Sequence, residues 1–363
     1  MSKRLPDPVA AVKAEAAQAA SGQVRLPGIV IKGAGVWLVD AMGRPKPATF
    51  CHGLLVEGEL TVIFASTNVG KSVFATQLAE ELAHYGRVLY IDCELSDAQW
   101  EARYADREAG IYHRFPETLD RAQINLVDMD GLNIQEEMLR QIEVCASAGY
   151  KAIFVDNLTY LCNDTETGLT AGDFMMKLLR LKQKFEDRRL TIVVVAHSPK
   201  RNGKDPITAN DLAGSSRLMN FFDAGIAIGR SAKDPALRYV KQCKVRTGEL
   251  VYHGGNVIVY RVVKTDAWLH YEFEGYAEES EHLRPKSAAT DQEDIEEVAR
   301  LHGTGLSVRQ IAKELGMSST SVHRKLEKAR SQGLITSLPG VSGQSPTVIP
   351  SEVEGSPIDD LPE

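Results

Sequence analysis

Residues 60–85 of the chain read LTVIFASTNVGKSVFATQLAEELAHY, and this stretch decides the fold prediction. Its first six residues form a short apolar run typical of a buried strand, and Ser72–Tyr85 has the spacing of a helix. The turn between them has the pattern of a phosphate-binding loop, in which successive backbone N–H groups cradle phosphate oxygens. The stretch therefore predicts a nucleoside triphosphate site in an α/β fold. The residues expected to surround the nucleotide are Ala65, Ser66, Thr67, Asn68, Val69, Gly70, Lys71, Ser72 and Val73.

Two side chains of this loop have distinct expected roles. Lys71 would reach the β- and γ-phosphates of ATP, and the Ser72 hydroxyl would ligate Mg²⁺. The first position is Ala65, where the usual pattern has glycine, and a methyl group is often tolerated there. Asp156 ends a predicted strand, at the position where an aspartate holds the magnesium-bound water in P-loop enzymes. ATP and Mg²⁺ are therefore the predicted ligands.

Polar residues also follow the neighbouring predicted strands. Asp156 is followed by Asn157 rather than by a second acid, so another carboxylate must polarise the attacking water. Glu94 is the candidate, because it would project at the carboxyl edge of the sheet, where ligands bind. Asp92 competes for that role, although its position in a strand favours burial. His197 is a candidate γ-phosphate sensor at the same edge, and a purely structural histidine is the alternative.

From Gly28 to residue 277, short β-branched runs alternate with helical patterns. The runs LTVIFA (60–65), RVLYID (87–92), AIFVD (152–156) and TIVVVAH (191–197) are apolar throughout, as expected for parallel strands buried on both faces. Such alternation implies βαβ units in a doubly wound, mostly parallel sheet. The later strand-rich segment, 237–273, predicts an antiparallel extension of that sheet. Besides Ser72–Tyr85, the predicted helices include Ile134–Ala148 and Gly172–Arg188.

Five segments occur in a familiar order: the P-loop, VLYIDCELSDAQWEARY (88–104), AIFVDNL (152–158), IVVVAHSPK (192–200) and KQCKVRTGE (241–249). Over residues 54–263 the chain thereby resembles the RecA-like ATPases, and within them the hexameric replicative helicases of the DnaB and plasmid RepA type. The resemblance implies that Glu94 is catalytic, and it supports the sensor role of His197. It also implies a homo-hexamer in which Lys244 and Arg246 act in the neighbouring subunit's site. A basic edge strand kept soluble by its charges is the alternative for these two residues.

Two polar loops at the catalytic edge are candidate DNA contacts. They cover residues 162–173 and 198–216, and in a ring of RecA-like domains such loops line the central hole. Lys200, Arg201 and Lys204 in the second loop would track the phosphates of a single strand without reading its sequence. Charges that only keep an exposed loop soluble are the alternative. By analogy alone, residues 212–217 would couple the hole to the nucleotide.

A separate signal near the C-terminus predicts a helix-turn-helix domain. Ser307 and Gln310 form a capping box before the helix RQIAKELG (309–316), and Ser318 caps a second helix, STSVHRKLEKARSQG (319–333). The apolar residues at core spacing are Ile311, Ala312, Leu315, Val322 and Leu326. The residues expected to face outward toward duplex DNA are Thr320, Ser321, His323, Arg324 and Lys325. Docking of a partner such as a replication protein is the alternative for this module.

Composition limits the class of protein further. The chain has 363 residues, of which 43% are hydrophobic and 25% charged, and this excludes a collagen-like or wholly disordered chain. Five acids in the last twelve positions account for five of the seven net negative charges, so nucleic-acid contacts must come from local basic loops. Five scattered cysteines without CxxC spacing argue against a zinc site and a disulfide framework. No apolar run approaches the ~18 residues of a membrane span, so a cytoplasmic protein without membrane contact is expected.

The expected domains are a mobile arm (1–27), an ATPase motor (28–277), a linker (278–290), a helix-turn-helix domain (291–336) and a disordered acidic tail (337–363). About fifty residues precede the region that resembles the RecA-like ATPases (54–263), fewer than DnaB-type helicases have, which favours the RepA type. The leading expectation is a ring-forming, ATP-driven DNA helicase for replication of a plasmid or other mobile element. An ATP-switched DNA-binding regulator or loader and a RecA-like recombinase stay open as alternatives.

Overall fold

The computed structural model describes residues 24–26, 28–124, 128, 130–158, 171–199, 201–212, 218–285, 288–315 and 317–335. These residues divide into two units. The first comprises the described residues of Met1–Pro199 and Asp205–Leu283, and the second those of Lys200–Lys204 and Arg284–Glu363. Except for residues 24–26, the predicted arm lies outside the described residues, as does the predicted tail.

Fifteen strands are found in the described residues of the first unit, and nine of them form one central sheet. The spatial order of that sheet is β15-β14-β13-β12-β5-β11-β10-β6-β9. The other six strands pair as three two-stranded hairpins, β1 with β2, β3 with β4 and β7 with β8. Along the chain the strands are β1 (Val24–Leu26), β2 (Ile29–Ile31), β3 (Thr49–Phe50), β4 (Leu55–Val56), β5 (Leu60–Ala65), β6 (Val88–Asp92), β7 (Ala105–Asp106), β8 (Ile111–Tyr112), β9 (Leu119–Gln123), β10 (Ala152–Asp156), β11 (Thr191–His197), β12 (Ala224–Arg230), β13 (Leu237–Val245), β14 (Val257–Thr265) and β15 (Trp268–Ala277).

The direction of the strands confirms the predicted fold class. Six neighbouring strands, from β9 to β12 in spatial order, run parallel, and β13, β14 and β15 continue the sheet in antiparallel fashion. The four predicted strands have the expected bounds, except that β6 begins one residue later. The sequence did not indicate β12, because it contains Gly225 and Gly229. At Gly229 the ring of Tyr239 fills the space of a side chain, since an added Cβ would lie 2.0 Å from a ring carbon.

Helices cover the sheet on both faces. Phe64 and its neighbour Ile63 in β5 point to opposite faces and join two different apolar clusters. Phe74 of α2 belongs to the Ile63 cluster, whereas Ile142 of α4 and Phe174 of α5 belong to the Phe64 cluster. The sheet is therefore doubly wound. The helices of this unit are α1 (Ala34–Met42), α2 (Lys71–Ala83), α3 (Asp97–Tyr104), α4 (Ile134–Ser147) and α5 (Ala171–Lys184).

The predicted linker 278–290 is wrong at both ends. Its first residues form a 3-10 turn, Glu279–His282, in which Glu279 is only 1% exposed. The Glu279 carboxylate pairs with Lys241 of β13 and accepts a hydrogen bond from the Ile207 N–H at 2.8 Å. A charged residue is buried here because a cation and a backbone donor satisfy it. At the other end, a helix begins at Ala288.

Three helices form the core of the second unit: α6 (Ala288–Gly303), α7 (Val308–Glu314) and α8 (Ser319–Ser331). Their apolar side chains meet around Val298, Ile311, Val322 and Leu326, all of which are buried. The predicted caps are confirmed, because Ser307 and Gln310 form a capping box before α7 and Ser318 caps α8. The predicted end of the first helix at residue 316 lies outside the described residues. Across the part of the chain that the structure describes, no helix is long and apolar enough to cross a membrane.

Candidate functional site

The predicted phosphate-binding loop connects β5 to α2 at the carboxyl edge of the sheet. Gly70 caps the amino end of α2 with φ 103°, in the left-handed region that favours glycine. A Cβ at Gly70 would also lie 2.8 Å from the Tyr271 hydroxyl oxygen, so the loop has no room for a side chain there. Two independent constraints therefore require glycine at this position.

Side chains from the later strands hold the loop from its outer side. Arg230 Nη2 donates to the Asn68 carbonyl at 2.6 Å, and Arg238 Nε donates to the Val69 carbonyl at 2.6 Å. The Tyr271 hydroxyl donates to the same Val69 carbonyl at 3.1 Å. These bonds occupy carbonyl oxygens and leave backbone N–H groups for phosphate. Sequence reasoning missed all three residues, because they lie more than 160 positions from the loop and carry no motif.

Lys71 and His197 meet at the centre of the site. Lys71 is 6% exposed, and its Nζ donates to the Ser66 carbonyl at 3.2 Å and lies 3.1 Å from His197 Nδ1. Burial lowers the pKa of the Lys71 ammonium, and the nearby carboxylates of Asp156 and Glu94 act against that shift. The structure thus brings the predicted phosphate-binding lysine and the predicted sensor into direct contact.

Asp156 is a buried carboxylate with one oxygen engaged. The Tyr90 hydroxyl donates to its Oδ2 at 2.6 Å, whereas Oδ1 is buried and has no hydrogen-bond partner among the described residues. Burial raises the pKa of Asp156, and the neighbouring Ser72 and Tyr90 hydroxyls lower it. An unsatisfied carboxylate oxygen beside a hydroxyl is a donor set that suits Mg²⁺, a hard cation that prefers oxygen ligands.

This donor set is small, which fits a magnesium ion that arrives with a nucleotide. Within the described residues, no group of three or more His, Cys, Asp and Glu side chains is arranged to hold a metal ion. A magnesium ion bound to phosphate needs only one or two protein oxygens and keeps several waters. Ser72 and Asp156 therefore suffice for the predicted ligand.

Asn157 connects Glu94 with His197. Its Nδ2 donates to Glu94 Oε1 and lies 3.0 Å from His197 Nε2, and Glu94 Oε1 is itself 3.5 Å from that nitrogen. Glu94 keeps 43% of its side chain exposed, so a water molecule can reach its carboxylate. From the sequence, Asn157 was noted only as the residue that stands where a second acid would follow Asp156. The sequence feature that could have indicated a role for Asn157 is its position directly after a strand that ends in Asp156.

Asp92, the competing candidate for the base, has a different role. It is 2% exposed, and its Oδ1 accepts hydrogen bonds from the backbone N–H groups of Glu94 and Leu95 at 3.1 and 2.9 Å. Its Oδ2 accepts two hydrogen bonds from Arg121, at 3.1 and 3.0 Å. Both oxygens are therefore engaged, and Asp92 shapes the turn that presents Glu94.

Lys244 and Arg246 lie at the opposite edge of the sheet. β13 runs antiparallel to β12, so its last residues lie beside the amino ends of β12 and β5. Arg246 Nη1 is 2.9 Å from Asp223 Oδ1, and Asp223 Oδ2 accepts from the N–H of Leu60, the first residue of β5. The P-loop follows the last residue of β5, about 20 Å away for a strand of this length. Arg246 therefore does not reach the P-loop of its own subunit.

The second unit exposes most of the residues predicted to face DNA. Thr320, His323 and Arg324 are exposed on α8, and Ser321 is half-buried beside the Ser318 cap. The prediction that Lys325 faces outward is wrong, because this residue is only 4% exposed. Its position lies on the stripe of α8 that includes Val322, Leu326 and Ala329, and this stripe faces the core.

Two acids of α6 compensate the charge of Lys325. Its Nζ lies 2.7 Å from Asp291 Oδ1 and 3.2 Å from Asp294 Oδ2. The hydrogen bonds from Lys325 and from the exposed Lys328 hold the pKa of Asp291 well below its usual range. Lys325 therefore joins α6 to α8 and stabilises the three-helix core.

We expect Lys325→Ala to lower the free energy of unfolding of the second unit by about 1–3 kcal/mol, because the partly buried carboxylates of Asp291 and Asp294 lose a charged hydrogen-bond donor. The low pKa of Asp291 means that the ion pairs contribute at neutral pH and that the contribution is lost as the pH falls through that lowered pKa. Calorimetry of the full chain measures the effect. Lys328→Ala is the matched control, since its side chain is 49% exposed and contacts the same Asp291, and it is expected to cost under about 1 kcal/mol. Equal losses in the two variants would contradict the assigned role of Lys325.

The structure describes some of the loop residues predicted to contact single-stranded DNA, but not all of them. Lys200 lies outside the described residues, as do residues 162–170 and 213–216 of the predicted loops. Arg201 and Lys204 belong to the second unit, where the Arg284 N–H donates to the Gly203 carbonyl at 2.8 Å. The contact of Arg201 and Lys204 with a single strand stays a prediction.

Comparisons with known families match two separate parts of the chain. Residues 32–203 match a family model described as an AAA domain, and residues 284–329 match one described as the helix-turn-helix domain of resolvase. A comparison with curated proteins gives no match. The first match contains the P-loop together with Glu94, Asp156 and His197, and the second contains α7 and residues 319–329 of α8. The chain therefore contains one region similar to AAA-type P-loop NTPase domains and a second, separate region similar to resolvase helix-turn-helix domains.

Proposed function

We propose that the protein is an ATP-driven DNA helicase that works as a ring of identical subunits, in the replication of a plasmid or other mobile element. One observation carries the proposal. The carboxyl edge of the sheet holds a phosphate loop, a metal-ligating pair and a water-polarising carboxylate, whereas the basic pair lies about 20 Å away at the other edge. A site divided in this way is completed by a second subunit.

The residues at the carboxyl edge account for ATP hydrolysis. Glu94 accepts a proton from the attacking water, the water oxygen bonds to the γ-phosphorus, and the bond to the β–γ bridging oxygen breaks. Asn157 and His197 hold the Glu94 carboxylate in place, and Lys71 neutralises charge on the β- and γ-phosphates. Ser72 and Asp156 would hold Mg²⁺, which supplies further neutralisation of phosphate charge when bound.

Arg246 of a neighbouring subunit would complete the transition state. A phosphoryl transition state spreads negative charge over its equatorial oxygens, and an arginine supplied in trans stabilises that charge. Hydrolysis then depends on assembly, and each subunit senses the nucleotide of its neighbour. Such dependence suits a ring whose subunits act in turn on one DNA strand.

The exposed face of α8 supports a second candidate, an ATP-switched regulator or loader on duplex DNA. Thr320, His323 and Arg324 are positioned on a second helix of the type that enters the major groove in helix-turn-helix proteins. Both candidates share the ATPase site and differ in what hydrolysis does to DNA.

Strand displacement from a forked duplex, with ATP and Mg²⁺, separates these candidates. The helicase displaces the labelled strand, and a variant without Lys71 does not. DNA-stimulated hydrolysis without displacement would favour the regulator. Electron microscopy of the protein with ATP and a single strand provides the second test. Closed rings are expected, and a continuous filament would favour a recombinase.

A further inference from the structure

Two buried acids lie side by side at the amino edge of the sheet. Glu59 directly precedes β5 and is 7% exposed, and Asp223 directly precedes β12 and is 4% exposed. β5 and β12 are neighbouring parallel strands, with Thr61 paired to Ala224, so the two acids begin adjacent strands. Buried carboxylates need partners, and one partner of Asp223 comes from the chain that leaves β13.

The two oxygens of Asp223 have different partners. Oδ2 accepts from the Leu60 N–H at 2.9 Å and from Lys182 of α5, which fixes the carboxylate to the sheet. Oδ1 is left for Arg246, whose Nη1 lies 2.9 Å away. The carboxylate is thus rigid on one side and holds a guanidinium on the other.

Thr247, the residue after Arg246, lies beside the buried Glu59. Burial raises the pKa of Glu59, and the Thr247 side chain, which lies against the Glu59 carboxylate, lowers it again. Lys244 Nζ donates to the Met219 carbonyl at 2.7 Å, and Arg246 Nη2 makes a long contact of 3.4 Å with the Asn220 carbonyl. The chain around the end of β13 is therefore attached to the body of the subunit through Lys244 and Arg246.

Arg246 nevertheless remains accessible. Its side chain is 55% exposed, whereas that of Asp223 is 6% exposed. A guanidinium has five N–H donors in a rigid plane, so a single carboxylate contact leaves other donors for a phosphate. The contact with Asp223 orients the group without covering it.

We infer that Asp223 is a positioning residue, which holds the Arg246 guanidinium in the orientation that contacts the phosphates of ATP in the neighbouring subunit. This inference rests on the proposed function. Catalysis by a charged group depends on its placement, and a displacement of about 1 Å can cost on the order of 100-fold in rate. Asp223 supplies that placement from the buried edge of the sheet.

The test is the steady-state ATPase activity of the full chain carrying Asp223→Asn. Asparagine keeps the size of the side chain and an acceptor for the Leu60 N–H, but it loses the charge that holds Arg246. We expect kcat to fall by about 10- to 100-fold, while the KM for ATP stays unchanged because Arg246 stabilises charge that develops in the transition state. Asp120→Asn is the matched control, since it removes an Asp–Arg pair with Arg87, 2.7 Å long, at the far edge of the sheet.

Two further measurements exclude a merely structural effect. In subunits that already carry Arg246→Ala, the Asp223→Asn change is expected to cause no additional loss of kcat, because the group that it positions is gone. Mixed with Lys71→Ala subunits, the Asp223→Asn protein is expected to regain activity, because the partner supplies an intact Arg246. If D223N does not assemble, D223E answers the same question, since it keeps the charge and shifts the carboxylate by one methylene.

The outcomes separate the inference from the proposed function. If Arg246→Ala hydrolyses ATP at the rate of the unchanged protein, the shared site itself is disproved. If Arg246→Ala is slow while D223N or D223E has a normal kcat, the positioning role of Asp223 is overturned and the shared site stands. An additional loss from D223N in the Arg246→Ala background would also overturn it.

Discussion

Glu94→Gln is expected to bind ATP with nearly normal affinity and to hydrolyse it about 10²- to 10⁴-fold more slowly, the usual contribution of a general base. The carboxamide has the shape of the carboxylate but does not take a proton from water. The contacts of Lys71 and Ser72 with the nucleotide are untouched by the change. Phosphate release measures kcat, and titration with a fluorescent ATP analogue measures affinity.

A matched control for this variant lies on the helix that follows. Glu101→Gln changes an acid of α3 that pairs with the exposed Arg107 and does not touch the site, so its kcat is expected to be unchanged. A fully active Glu94→Gln protein would contradict the assignment and return the role to Asp92. That outcome would require Asp92 to give up hydrogen bonds that now occupy both of its oxygens.

The catalytic edge was predictable because its signals are local. A buried parallel strand is a short apolar run, and the residue at its carboxyl end lies at the ligand-binding edge whatever the rest of the fold does. Four such runs placed Lys71, Glu94, Asp156 and His197 at one edge, and the structure brings these four together. The network through Asn157 was not predicted, because it depends on which strands are neighbours, and β10 lies between β6 and β11 only in three dimensions.

Lys325 illustrates why a charge pattern alone misleads. Sequence reasoning assigned a basic residue on α8 to the solvent, since charges are seldom buried without partners. The partners were present, but they lie more than thirty residues earlier, at the start of α6. Arg238 and Tyr271 escaped prediction for the same reason, because their function consists of contacts with a distant loop. The sequence alone did not show which residues that are remote in the chain contact each other.

Arg246→Ala is expected to lower kcat by about 10³-fold or more, as removal of an arginine supplied in trans does in other phosphoryl-transfer enzymes. ATP binding is expected to remain, because the guanidinium lies about 20 Å from the P-loop of its own subunit. Arg261→Ala is the matched control. It removes an arginine of the same antiparallel extension that pairs with Asp234 and Glu274, and its kcat is expected to be normal.

Mixing experiments test whether the arginine acts between subunits. Arg246→Ala subunits keep an intact P-loop, and Lys71→Ala subunits keep an intact Arg246, although each protein alone is inactive. In an equal mixture, about a quarter of the interfaces in a head-to-tail ring pair an intact P-loop with an intact arginine. Hydrolysis is therefore expected to reappear on mixing and to approach that fraction of the normal rate.

The dependence on mixing ratio distinguishes this model from a site contained in one subunit. Recovered activity that is greatest near equal proportions and absent at either extreme requires two different subunits at each active site. If the mixture stays as inactive as its components while both proteins still assemble, Arg246 does not act in trans. Another cation of the neighbouring subunit would then have to serve the site, because Arg246 lies about 20 Å from the P-loop of its own subunit.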